Sequence, residues 1–246
     1  MAEEKGKPKE KIKESKEEVV DVWHPTTLLG QQVKAGQITE LRQILDRGLK
    51  IMESKIVDTL VPGLECDFIL IGQSKGKFGG GKRRIFKQTQ KKTREGNKPR
   101  FTVVAVVGNR DGYVGLGTGT SRETMPAREK AIRDAKLNII QVARGCGSWE
   151  CGCGGEPHSI PFKLYGHRGS VEVTMRPAPR GVGLCVESEM KKVLELAGFK
   201  DVWSKVKGHS QHKINTVYAC FDALKHSTRM RVDPAYKKIV VGVAGS

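Results

Sequence analysis

Apolar residues along the chain recur at two different periods. Ile38, Leu41, Ile44, Leu45 and Leu49 fall at the three- and four-residue intervals of one helix face, with Thr39 placed to cap it and Gly48 to end it. A second short helical piece is predicted over 51–60, stopped by Val61-Pro62-Gly63. From 82 to 120 the pattern changes to that of a strand meander. Residues 84–92 read as a weakly patterned strand and 94–99 as a hairpin loop rich in turn formers. Residues 101–107 form a buried strand rich in β-branched side chains. Asn109-Arg110-Asp111-Gly112 is a tight turn, and 113–120 is the partner strand. A helix over 125–140 follows, capped by Thr124, with Pro126 in its first turn and Met125, Ile132, Ala135 and Ile139 on its buried face.

A Gly/Cys-rich connector, 145–155, interrupts the pattern, which then restarts. Two strands, 160–165 and 170–176, flank Gly166-His167-Arg168-Gly169, and 177–181 is an irregular loop. Ser188 is placed to cap a helix carrying Met190, Val193, Leu194 and Ala197, which Gly198 ends. A short strand, 202–206, precedes an amphipathic helix marked by Ile214, Val217, Tyr218, Phe221 and Leu224. This order of elements predicts an α+β protein. Residues 1–20 make a disordered tail of six Lys and six Glu, and 21–60 an N-terminal extension with helices. One α+β domain is expected over 61–143, a second over 144–225, and a C-terminal extension over 226–246.

Charge adds a location to this outline. The chain has 246 residues and a formal net charge of +17. Eleven basic residues and a single acid, Glu95, lie between 72 and 100, so more than half of the excess sits in one segment. A solubilising surface normally mixes both signs; this segment does not, and it reads as a site for a polyanion, nucleic acid foremost. No apolar stretch approaches the roughly 20 residues needed to span a bilayer, and none follows the N-terminus as a secretory signal would.

Three motifs could carry chemistry. Gly76-Lys77-Phe78-Gly79-Gly80-Gly81-Lys82-Arg83 is one residue from a P-loop, but that loop needs Ser or Thr where Arg83 stands, to hold magnesium, and a helix after it. A flexible glycine-rich basic arm is the better reading. Gly115-Leu116-Gly117-Thr118-Gly119 lies inside a strand rather than in the turn that a dinucleotide fold requires. Glycines alternating along a strand instead let another backbone, or RNA, come close. Cys146, Cys151, Cys153 and His158 give C-x4-C-x-C-x4-H, a donor set and spacing suited to tetrahedral zinc as a structural cofactor. The alternative is a group of reduced thiols beside an unrelated histidine. Cys66, Cys185 and Cys220 lie in apolar contexts and read as buried thiols. His24, His167, His209, His212 and His226 have no paired nucleophile at a telling spacing, so binding rather than catalysis is expected.

Longer motifs give a family resemblance. Arg100-Phe101, Val106-Val107-Gly108, Gly112-Tyr113-Val114-Gly115-Leu116-Gly117 and the helix through Ala127, Ala131 and Ala135-Lys136 resemble the signature of the small-subunit ribosomal protein S-five family. Trp23-His24-Pro25, Pro157-His158-Ser159-Ile160-Pro161 and Arg176-Pro177-Ala178-Pro179-Arg180-Gly181 extend the match over nearly all the chain after residue 20, and the Trp23 and cysteine segments look archaeal. The resemblance implies a double-stranded-RNA-binding-domain-like N-terminal domain followed by the βαβ fold of the family's second domain. It implies a structural constituent of the cytoplasmic small ribosomal subunit that binds small-subunit ribosomal RNA. Such a protein would lie beside ribosomal protein S-four, near where messenger RNA enters, and contribute to assembly and translational accuracy. It would need neither a membrane nor a small-molecule substrate. The candidate RNA contacts are Lys82, Arg83 and Arg84 in the arm, Lys91, Lys92, Arg94, Lys98 and Arg100 along the hairpin, Arg110 in the next turn, and Arg180. The cysteine-histidine cluster is not part of the bacterial pattern and rests on spacing alone.

Overall fold

The computed structural model describes residues 23–74, 76, 83–154 and 156–228. The expected tail, most of the glycine-rich arm, Lys82 included, and nearly all of the C-terminal extension lie outside the described residues.

Three short helices come first: α1 (Leu28–Lys34), α2 (Leu41–Asp46) and α3 (Ser54–Leu60). None is long enough to persist alone, and a shared cluster of Trp23, Val33, Ile38, Leu41, Ile44, Ile51, Ile56 and Val57 holds them, reaching Ile139. Glu53 clasps the entrance. Its Oε1 accepts from the Thr26 and Thr27 amides at 3.0 and 2.7 Å, and its Oε2 from the Trp23 indole N–H at 2.9 Å. The Thr27 hydroxyl caps α1 by accepting from the Gly30 amide. Thr39 does not cap α2, contrary to expectation: Glu40 occupies that position and makes no side-chain cap bond.

The first sheet is antiparallel throughout and is built on β3 (Gly96–Gly108). On one edge it pairs with β4 (Tyr113–Ser121), which in turn pairs with β5 (Ile139–Gln141). Its other edge is shared, β1 (Glu65–Phe68) along the inner half and β2 (Lys87–Thr93) along the outer half. The β2–β3 connection is tighter than the loop expected over 94–99. Only Arg94 and Glu95 turn, while Asn97, Lys98 and Pro99 are strand residues opposite Lys92, Lys91 and Gln90.

Helix α4 (Thr124–Leu137) lies across β3 and β4 through Ala127, Ala131 and Ala135. The expected face holds for Ala135 and, in part, for Ile132, but Met125 is 60% exposed and Ile139 belongs to β5. The reason is distance. A Cβ added to Gly117 would fall 2.0 Å from the Ala135 amide nitrogen, and one added to Gly119 would fall 2.1 Å from the Ala127 carbonyl oxygen. The alternating glycines therefore admit a helix backbone, and only alanine is small enough on the facing side. Thr124 is the first helical residue rather than the cap, and Glu123 before it makes no side-chain cap bond.

The second sheet runs in the order β6 (Leu164–Arg168), β7 (Val171–Pro177), β9 (Val202–Lys207), β8 (Leu184–Cys185). Strands β8 and β9 are parallel and joined by α5 (Ser188–Ala197), which gives the anticipated βαβ unit. Helix α6 (Lys213–Ser227) packs on β6 and β7. Residues 166–168, expected in a turn, are in β6, where a Cβ on Gly166 would sit 2.0 Å from the Ala219 carbonyl oxygen of α6. The reversal comes at Gly169-Ser170. Glu187, not Ser188, precedes α5, and it makes no side-chain cap bond; Gly198 ends that helix in the left-handed region as expected.

One apolar cluster runs through both halves. Ile69, Val104, Val106, Val114 and Leu116, on the face of the first sheet away from α4, join Leu164, Val173, Met175, Leu194, Val202, Val217 and Leu224. Cys220 is buried within it, and burial pushes its thiol up to about 12. Cys66 and Cys185 are exposed, contrary to expectation, because β1 and β8 are edge strands covered on one side only.

Candidate nucleic-acid interface and metal centre

The outer halves of β2 and β3 form a two-stranded ribbon that leaves the body of the protein. Residues 87–92 and 96–100 are all exposed, so neither face of the ribbon has a core. Register sorts its charges. Lys91 pairs with Lys98, Thr89 with Arg100 and Lys87 with Thr102, and paired residues share a face. Lys87, Lys91, Lys98 and Arg100 therefore lie on one face, while Lys92 lies on the other with Gln88 and Gln90. Like charges directly opposite destabilise an antiparallel pair, and a ribbon with no core is marginal by itself. A polyanion laid along this face relieves both conditions. Within the ribbon the counter-charge is slight: Lys98 meets Glu95 at 3.1 Å, both well exposed, and Arg100 donates to the Thr120 hydroxyl at 3.2 Å.

The other candidate contacts divide between this ribbon and elsewhere. Arg94 is exposed at its tip. Arg83 and Arg84 lie at its base, where Arg83 bridges to Ser74 and its Nη1 donates to the Gln211 carbonyl at 3.5 Å. A strand follows Arg83, not the helix that a P-loop requires. Arg110 is at the far end of β3, with φ 57 and an ion pair to Glu65 at 2.7 Å. Arg180 is in neither place; it belongs with the cysteines. Lys87 was not singled out in the sequence, although its four-residue offset from Lys91 puts both on one face of any strand.

The connector is closed at its base by paired backbone bonds between Gly145 and Ser159, each 2.9 Å. This brings Cys146 beside His158, and the tight reversals between them bring in the rest. The ligand atoms of Cys146, Cys151, Cys153 and His158 all lie within 4.8 Å of one another. Tetrahedral zinc with bonds near 2.3 Å would set its ligands roughly 3.8 Å apart. The loop's one large apolar residue, Trp149, is 91% exposed.

His158 is buried, with Nε2 3.4 Å from Cys151 Sγ and Nδ1 2.8 Å from Asp201 Oδ2. A carboxylate on the far nitrogen fixes the ring orientation, as at many metal-bound histidines. Burial, with the neighbouring thiols Cys153 and Cys151, pushes Cys146 up to about 12 despite a backbone bond from Ser148. The Arg180 amide, donating to Cys151 Sγ at 3.4 Å, leads in holding that thiol down to about 6. Three sulfurs and an imidazole nitrogen this close together form a donor set that could hold a divalent soft metal.

Residues 85–143 match the family model described as Ribosomal protein S5, N-terminal domain, and residues 166–236 match Ribosomal protein S5, C-terminal domain. The chain is similar to Small ribosomal subunit protein uS5 of Nanoarchaeum equitans, 49% identical over 227 residues that cover 92% of this chain and 97% of that protein. It is 46% identical over 219 residues to the protein of that name from Methanocaldococcus jannaschii, covering 89% of this chain and 94% of that protein. Against the one from Saccharolobus solfataricus it is 45% identical over 205 residues, covering 83% and 88%. With both halves of the fold matched and archaeal relatives covered almost throughout, the chain belongs to the ribosomal protein S5 family.

Proposed function

We propose that this protein is a structural constituent of the small ribosomal subunit in the cytoplasm and that it works by binding small-subunit ribosomal RNA. The observation that carries this reading is the coreless ribbon with Lys87, Lys91, Lys98 and Arg100 on one face. A rigid body presents cations to phosphates, counterions are released, and shape rather than base edges supplies most of the specificity. Arg83 and Arg84 extend the contact from the base of the ribbon, with Lys82 before them in sequence as a further candidate, Lys92 and Arg94 line its reverse face and tip, and Arg110 and Arg180 reach RNA at separate points. Family membership favours a place beside ribosomal protein S-four, near where messenger RNA enters, with a part in assembly and decoding accuracy. Crosslinking within intact subunits tests that neighbourhood. The function as a whole is tested by sedimentation: the protein should co-migrate with small subunits at moderate salt, and free protein at the top of the gradient would overturn the proposal.

The reading includes a structural zinc ion held by Cys146, Cys151, Cys153 and His158. Three sulfurs and an imidazole nitrogen form a donor set that suits zinc better than a hard cation. The ion would tie together a loop that has almost no apolar contacts of its own. Metal analysis of protein purified without chelators should give close to one zinc per chain, and a value near zero removes the site.

A further inference from the structure

We propose that the metal centre and the Arg180 loop are one coupled unit, so that occupancy by a divalent, thiophilic cation sets how strongly Arg180 engages an RNA phosphate. The inference rests on the zinc and RNA readings above and goes beyond them by joining the two sites. Its basis is where the backbone donors of the 178–183 loop end. The Arg180 amide donates to Cys151 Sγ at 3.4 Å. The Gly181 and Gly183 amides donate to Asp201 Oδ1 at 3.1 and 2.8 Å, while the other oxygen of that carboxylate holds His158 Nδ1 at 2.8 Å. The Ala178 amide donates to the hydroxyl of Ser159, the residue after His158, at 3.2 Å. Pro179 has no amide hydrogen to give, and the Val182 amide makes only a long local bond, 3.5 Å, to the Pro179 carbonyl.

The loop's backbone donors therefore end almost entirely at the cluster, while at its far end the Gly183 carbonyl accepts from the Val202 amide at 3.2 Å. Apart from the Val182 amide, each of those donors ends on a ligand, on the carboxylate that orients a ligand, or on a side chain next to one. Gly181 and Gly183 are both in the left-handed region, φ 91 and 74, so the path matches no regular element that could persist if those anchors moved. Asp201 is the positioning residue. It is buried, and one carboxylate spans the imidazole and the loop. The Arg180 side chain returns to the same unit through Glu156 at 3.1 Å, within the 153–158 stretch that closes the cluster. Both partners are well exposed, so this ion pair is weak and gives way readily to a phosphate.

Thermodynamic linkage makes the idea testable from either side, because coupling between two binding events is reciprocal. The full-length protein loaded with zinc would be titrated with transcribed small-subunit ribosomal RNA, before and after chelation, in wild type and in Arg180→Ala. The expectation for wild type is a loss of about tenfold in RNA affinity on metal removal, the scale of one charge-assisted contact. The magnitude of the salt slope should fall by about one. In Arg180→Ala the slope should be lower from the start and metal removal should leave it unchanged.

Chelation that unfolds the connector could mimic the first result, so the reverse experiment is also needed. Zinc affinity, measured by chelator competition, should tighten by the same factor when wild-type protein is saturated with RNA, and should not tighten for Arg180→Ala. Equal tightening in both proteins, or none in either, overturns the coupling. Protein that carries no zinc but binds RNA overturns the coupling together with the metal reading. Zinc-loaded protein with no salt-dependent RNA binding overturns it together with the RNA reading.

Discussion

Gly117 shows how a single missing methyl group can decide the packing of a sheet. The atoms that an added Cβ would meet are backbone, the Ala135 nitrogen at 2.0 Å and the Ala131 carbonyl oxygen at 2.6 Å, and backbone cannot swing aside as a side chain can. Gly117→Ala should therefore lower stability by about 2–3 kcal/mol or more, the cost of overpacking a close contact. Denaturant titration reads this as a lower midpoint, and a change below about 0.5 kcal/mol would contradict the contact. Glu53 acts through charge. Burial would raise its carboxyl, but the hydroxyls and amides of Thr27 and Thr26 outweigh that and hold it at about 2, against an ordinary 4.5. A carboxyl depressed in the folded state contributes stability above its unfolded value and loses it as pH falls towards the folded one. Wild type should thus lose stability between pH about 4.5 and about 2, and Glu53→Gln should be less stable at neutral pH and flatter across that window. Thermal melts along a pH series make the comparison. The alternation of the glycines was legible in the sequence, and so was its meaning, close approach. Whether helix or RNA was approaching was not, because that depends on where α4 lies. Glu53 carried no signal, since its partners are 26–30 residues away.

At the scale of elements, β2 and β3 are the clearest case of charge and register acting together. Replacing Lys87, Lys91 and Lys98 with Ala removes three cations from one face and should reduce the salt slope of RNA binding by about one unit per lost phosphate contact. Replacing Lys92, on the other face, should change it less. Filter binding across a salt series tests this, and equal effects per residue would mean that both faces meet RNA. Most elements were readable from apolar period, because helices and strands over a core must repeat at 3.6 or 2. The exceptions have physical causes. Strands β1 and β8 have four and two residues and exist through pairing with partners distant in sequence. Helix α4 buries alanines, which weigh less than Met125 or Ile132 in any apolar count although only they fit. Caps assigned to Thr39, Thr124 and Ser188 each belong one residue away, to Glu40, Glu123 and Glu187, and none of these makes a side-chain cap bond.

For the whole molecule the decisive fact is the shared core. Valines on the inner face of the first sheet pack with the second sheet and its helices in one cluster, so separating the halves would expose both. We expect a single cooperative unfolding transition. Trp23 lies in the N-terminal cluster and Trp203 in β9; fluorescence from single-tryptophan variants should give coincident midpoints, and two separated midpoints would show independent halves. The concentration of excess charge in a short segment was visible in the sequence because charge is a local property. The metal donors were visible for the same reason, since all four fall within 13 residues. Asp201 was not, for it meets His158 only through the fold, 43 residues away. That acid joins His158, at the edge of the cysteine cluster, to the amides of Gly181 and Gly183.

The length of β3 has one more consequence. The same uninterrupted strand supports the ribbon at its outer end and lies in the core at its inner end, with no hinge between. Thirteen residues at about 3.4 Å each span roughly 40 Å. The Arg94-Glu95 turn and the Asn109–Gly112 turn are therefore the two ends of a ruler. Any two groups bound at those two ends would be held at a fixed separation of that order.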